Sequence, residues 1–135
     1  MRKWARILII AIAVVFGIPA TAYVYLEGWY YWFGMPPLIR GLTPGVFREL
    51  PKGLDTDARF KERVHAAFSD GIKERLLLDQ LRGQGFAGPF QDSQGKKYVQ
   101  FTAGFLVCRK DWFISWRTVD STAVEISPST AVACL

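Results

Sequence analysis

Trp112-Phe113-Ile114-Ser115-Trp116-Arg117 is the stretch on which the fold turns. Trp112, Ile114 and Trp116 fall on one face of an extended chain and Phe113, Ser115 and Arg117 on the other, the period-two signature of a strand with one side in a core. Upstream, Lys97 to Ala103 and Phe105 to Arg109 also read as strands, and the charged corner Arg109-Lys110-Asp111 reads as a turn. Downstream, Asp120-Ser121 turns the chain into a strand over Ala123 to Ile126, which Pro128 ends. The result is an antiparallel meander of three to four strands. Gln91 to Gly95, just before it, is polar and loop-like.

Further upstream the period changes. Asp55, Thr56 or Asp57 can cap a helix over roughly Ala58 to Phe68, in which Phe60, Val64, Ala67 and Phe68 form one apolar stripe. Arg59, Lys61, Glu62, Arg63 and His65 make the charged side. Ser69-Asp70-Gly71 breaks this helix and caps a second, from Ile72 to about Arg82, which carries Leu77, Leu78 and Leu81 and ends at Gly83 and Gly85. Two helices followed by a meander bury their stripes on one sheet face, giving a two-layer α+β domain over residues 55–135.

This order of elements resembles the small envelope domains of the SmpA/BamE type and the related repeat of beta-lactamase inhibitory proteins. The resemblance covers roughly residues 57–127 and rests on element order together with the segment Ser69-Asp70-Gly71-Ile72 to Gly85-Phe86. No diagnostic motif of those domains matches, and the lipoprotein cysteine that anchors typical SmpA-like proteins is absent. The resemblance implies a binding or assembly module and no enzymatic activity.

Ile7 to Leu26 is an unbroken apolar run behind Arg2, Lys3 and Arg6. As a helix it reaches about 30 Å, the thickness of a bilayer core. Basic residues before it and Glu27 after it predict a single-pass helix over residues 1–26, with a cytoplasmic N-terminus and an exported C-terminal domain, as in a bacterial inner membrane protein with a periplasmic domain. A cleavable leader is the alternative, with Ala20-Thr21-Ala22 as the small-x-small site and secretion to the periplasm after cleavage behind Ala22. Against cleavage, the apolar run continues into Trp29, Tyr30, Tyr31, Trp32 and Phe33, residue types that collect at the membrane–water interface. Pro19 is tolerable in a spanning helix and should kink it. Residues 27–54 read as an aromatic, Pro/Gly-rich spacer, with one short helical turn near Pro44 to Leu50. Its apolar members Leu38, Ile39, Leu42, Val46 and Phe47 are expected to lie on the domain or at the membrane surface.

Charge says little beyond topology. The chain carries a net +5, yet residues 27–135 hold 14 basic against 12 acidic side chains, too balanced for a nucleic-acid surface. Cys108 and Cys134, both in the exported part, read as one disulfide; two free thiols or half of a metal site are the rival readings. The only histidine, His65, lies among charged residues on its helix, and no spacing provides partners for a metal. Neither Gly-x-Ser-x-Gly nor a phosphate loop occurs. Asp70 with Glu74, or Asp111 with Asp120, are the carboxylate pairs that convergence could turn into a hydrolytic site, although acids at a helix start usually cap it.

No catalytic, cofactor or metal site is therefore expected. Trp112 and Trp116 read as core, while Phe113 and Arg117 read as an exposed aromatic and cationic patch for a partner. The expected role is non-enzymatic: a membrane-embedded envelope protein whose domain binds or helps to assemble another envelope protein. The alternative is an inhibitor or immunity protein against an exported toxin or hydrolase.

Overall fold

The computed structural model describes residues 2–30, 34–43, 50–105 and 108–134. The chain divides into two compact units between Gly34 and Met35.

In the first unit α1 (Arg2–Ile12) passes through a π-helical turn, Ala13–Gly17, into α2 (Ile18–Trp29). Pro19 has no N–H for the carbonyl one turn back and its ring crowds that carbonyl, so a wider turn just upstream relieves the conflict. Thr21 Oγ1 donates to Gly17 O at 2.7 Å and satisfies an acceptor in the disturbed turn. The stretch Lys3–Leu26 is long and apolar enough to cross a bilayer, and none of its apolar window is buried by protein. By length and composition it suits a membrane anchor or a signal sequence equally.

The second unit is a five-stranded antiparallel sheet in the order β1-β5-β4-β3-β2, with two helices on one face. Its elements are α3 (Thr56–Ala67), β1 (Ile72–Lys73), α4 (Glu74–Gly83), β2 (Ala87–Gln91), β3 (Lys97–Phe105), β4 (Cys108–Val119) and β5 (Thr122–Cys134). Asp55 caps α3, its carboxylate accepting from the N–H groups of Asp57 and Ala58 at 3.1 and 3.0 Å. Phe60 and Val64 of α3 and Leu77 and Leu81 of α4 are wholly buried with Val99, Trp112, Ile114, Trp116 and Ala123 of the sheet. The Phe60 ring meets Trp112 edge-on at 4.9 Å, which fixes α3 over β4.

Five strands replace the three to four expected. Phe105 to Arg109 is not a strand of its own: Phe105 ends β3 and lies opposite Cys108, which begins β4. Two strands not foreseen lie at the sheet's edges: β1 takes Ile72 and Lys73 from the expected second helix, which starts at Glu74 without a side-chain cap, and β2 holds Gly88 and Pro89 and pairs irregularly with β3, so neither has a readable alternation. Arg109-Lys110-Asp111 is not a turn; it lies inside β4, opposite Ala103 and Thr102 on one side and Val132 and Ala131 on the other. Asp111 is buried there, and its Oδ1 accepts from Thr102 Oγ1 at 2.6 Å and Gln100 Nε2 at 3.2 Å. Nor does Pro128 end a strand. β5 continues through it to Cys134: β1 pairs with β5 only at Thr122 and Ala123, so at Pro128 no described strand lies on the side away from β4, and a proline nitrogen turned that way costs no ladder bond. Asp120-Ser121 does turn the chain, at φ 46° and 63°, between Val119 and Thr122, a two-residue hairpin.

The globular unit also begins earlier than residue 55. Met35, Pro36, Leu38, Ile39 and Leu42 are buried, in a turn closed by bonds from the Ile39 and Arg40 N–H groups to Pro36 O at 3.0 and 2.9 Å. Arg63 Nη1 on α3 donates to the carbonyls of Pro37, Leu38 and Arg40 at 3.2, 3.3 and 2.7 Å, holding the turn to the helix. A domain of this size has little apolar surface to spare, and these side chains enlarge its core. Val46, Phe47 and the helical turn expected near Pro44 to Leu50 lie outside the described residues, except for Leu50 itself.

Candidate partner-binding face

Among the described residues both helices lie on one face of the sheet and no helix covers the other. Register puts Phe90 opposite Tyr98, and Tyr98 opposite Ser115 on β4, two residues along from Phe113. Phe113 points away from Trp112 and Ile114, is half-buried, and sets its ring 6.1 Å from Tyr98, which lies 5.4 Å from Phe90. Three rings thus form a row across β2, β3 and β4, with Phe90 45% exposed at its end. Arg117 lies on the same face, exposed, with Nη2 3.3 Å from Glu125 Oε2. Exposed Ser127 and Ser129 extend the face onto β5.

The sequence reading picked out Phe113 and Arg117 and placed Trp112 and Trp116 in the core, where both are fully buried. It missed Phe90 and Tyr98. Tyr98 sits at an odd offset from Val99 and so could have been assigned to the free face, but Phe90 belongs to a strand with no readable period. Trp29 and Tyr30 are exposed at the end of the N-terminal helix; Tyr31, Trp32 and Phe33 lie outside the described residues.

On the covered face the acids are engaged in structure. Glu74 Oε1 accepts from Lys97 Nζ at 2.7 Å, Thr118 Oγ1 at 2.9 Å and Trp116 Nε1 at 3.1 Å, joining α4, β3 and β4. Burial by itself raises this carboxyl, but the three donors and the Lys97 charge outweigh it and hold the group below its ordinary value. Asp57 at the start of α3 accepts from Lys110 Nζ at 2.7 Å and Thr130 Oγ1 at 2.9 Å. The Lys110 hydrogen bond leads in holding Asp57 low, burial opposes it, and Thr130 and Thr56 add to the lowering. Lys110 Nζ also stands 4.5 Å above the Trp112 ring.

Of the two carboxylate pairs weighed in the sequence, Asp111 with Asp120 is kept apart by the strand between them. Asp111 and Asp120 lie along and just past one extended strand, so about 30 Å separates them, against the roughly 5–9.5 Å a glycosidase needs. Asp70 Oδ1 accepts the Ile126 N–H at 3.0 Å, and Glu74 is committed as described. His65 is exposed on α3. Among the described residues no group of three or more His, Cys, Asp or Glu is placed to hold a metal ion. A cleft of ≈ 290 Å³ lies between α3 and the chain before it, lined by Gly41, Leu42, Leu54, Arg59, Glu62, Arg63 and Ala66. Its Arg59 pairs with Glu62 at 3.0 Å, and its Arg63 serves the carbonyls named above.

Cys108 and Cys134 are register partners at the open end of the β4–β5 hairpin and form a disulfide. A disulfide fits an oxidising compartment. No protein family, no curated protein and no solved structure matches the chain.

Proposed function

We propose that this chain is a single-pass envelope protein, N-terminus in the cytoplasm, whose exported domain binds another envelope protein through the free sheet face around Phe113. One observation carries the reading: the Phe90–Tyr98–Phe113 row is left uncovered by either helix. Aromatic side chains are enriched at protein interfaces, where they bury a large area at little entropic cost, and Arg117, farther along β4 on the same face and paired with Glu125, adds a charged handle at the rim. The exported location rests on the apolar helix behind Arg2, Lys3 and Arg6, and the disulfide agrees with it. Engagement of Asp57, Asp70 and Glu74 in structural hydrogen bonds favours binding over catalysis.

Affinity purification of the full chain from gently solubilised membranes tests this. Phe113→Ala removes one side of an aromatic contact at a half-exposed position and costs about 1 kcal/mol of stability. The variant should stay folded at 37 °C and lose the partner that the wild type retains. Retention of the partner, or collapse of the fold, refutes the site. A reporter fused after Leu135 that proves to be cytoplasmic refutes the topology separately.

A further inference from the structure

On the face that neither helix covers, β4 presents an arginine at each end, Arg109 and Arg117, with Phe113 between them. The two are held differently. Arg117 meets an acid as exposed as itself, Glu125, with Nη2 3.3 Å from Oε2. Arg109 has its acid underneath: its Nε stands 3.4 Å from Oδ2 of Asp111, whose side chain is 8% exposed against 63% for Arg109. Asp111 is fixed in turn through its other oxygen, which accepts from Thr102 and Gln100 of β3. Among the described residues nothing accepts from Nη1 or Nη2 of Arg109. Gly104 and Ala133, its register partners on β3 and β5, bring too little side chain to cover it. Lys110, the next basic residue, goes the other way, to Asp57 and Thr56 of α3.

The Arg109–Asp111 pair is neutral, yet its outward end is positive. The carboxylate is sunk and its Oδ1 engaged, while the guanidinium stands in water with its terminal nitrogens open. A planar fork of N–H donors matches a carboxylate, and a charge-assisted pair of this kind carries both strength and direction. Bilayer phosphates match it less well. Headgroup recognition takes about four to eight basic residues together, whereas β4 exposes two arginines here and one of them is already paired with Glu125.

We propose that Arg109 is the charge-recognising residue of the partner-binding face and takes a carboxylate, that of an aspartate or glutamate on the envelope protein, which rests on the reading of the Phe113 face given above. Arg109 and Phe113 are four residues apart on β4, about 13 Å, so the partner's acid and the apolar group that meets Phe113 share that spacing. Asp111 keeps the guanidinium in one orientation before the partner arrives, which lowers the cost of ordering it. As an exposed contact it is open to screening by salt, and it sets specificity and association rate more than bulk affinity.

The test uses the full chain in native membranes and a water-soluble carbodiimide, which joins a carboxylate to a lysine amine as an amide, takes up the water released, and leaves guanidinium groups alone. Arg109→Lys should add a product heavier than the chain and absent from the wild type, in which mass spectrometry finds position 109 joined to an aspartate or glutamate of a second protein. Phe113→Ala in the Arg109→Lys chain should remove that product. In purification from solubilised membranes, Arg109→Gln should cut the retained partner about fivefold at low salt and flatten its salt dependence, while Arg75→Gln, an exposed change on α4, should alter neither. If Arg109→Gln fails to fold, Arg109→Lys keeps the charge above Asp111 and its crosslink decides. Absence of the Arg109→Lys product, its attachment to Asp111 alone or to a group that is not protein, or full retention of the partner by folded Arg109→Gln overturns the assignment; where Phe113→Ala still loses the partner, the Phe113 face stands without it. Retention of the partner by Phe113→Ala overturns both.

Discussion

Glu74 shows how much one carboxylate can organise. Its three donors come from β3 and β4 while its own backbone starts α4, so its loss leaves Trp116 Nε1 and Lys97 without their acceptor in a mostly buried place. Glu74→Ala should lower unfolding free energy by about 2–3 kcal/mol, read by urea denaturation at pH 7. The pH dependence has a definite sign. A carboxyl held low in the folded state stabilises it above the unfolded value, ordinarily 4.5 for glutamate and 3.8 for aspartate, and loses that contribution as pH falls through the folded value. Stability should therefore drop below about pH 4.5, and Glu74→Gln should flatten that drop. Asp57 acts in the same direction, with more of its side chain in water.

The β4–β5 hairpin is the element that spans the domain, from the turn at Asp120-Ser121 to the bridge at Cys108–Cys134. The bridge closes a separation of 26 residues, and the chain-entropy argument assigns it about 3.5 kcal/mol. Cys108→Ser with Cys134→Ser should cost that amount, and 10 mM reductant on the wild type should reproduce the loss, about the concentration that reduces an exposed bridge; denaturant midpoints measure both. The sequence signals behind this hairpin were strong. Alternation over Trp112 to Arg117 and the turn pair Asp120-Ser121 both carry local physics, and the cysteine pairing needed only an oxidising address. Its length was not legible. Pro128 and the charged run at Arg109 look like strand breakers unless one knows that β5 runs on past the short β1 and that Asp111 finds Thr102 and Gln100 across the ladder. Likewise Phe113 was visible as a free-face residue, but its neighbours Phe90 and Tyr98 come from separate strands whose register only the folded sheet supplies.

At the scale of the molecule the chain comprises a helix suited to lipid or to a signal-recognition path and a separate α+β unit that starts at Met35. Ile39 is fully buried in that unit, so Ile39→Ala should cost about 2–4 kcal/mol by thermal denaturation, whereas Lys52→Ala, an exposed change, should stay within about 0.5. The sequence put Leu38, Ile39 and Leu42 on the domain or at the membrane surface; their full burial was not legible, because a segment rich in proline and glycine reads as linker even when its few apolar residues are core. The grip of Arg63 on three successive-turn carbonyls has a mechanical side. Tension drawn along the chain from upstream of Met35 arrives first at a guanidinium clasp on α3. In chain order that clasp precedes every strand, so traction from this end should strip the turn at residues 35–42 from α3 as its first event.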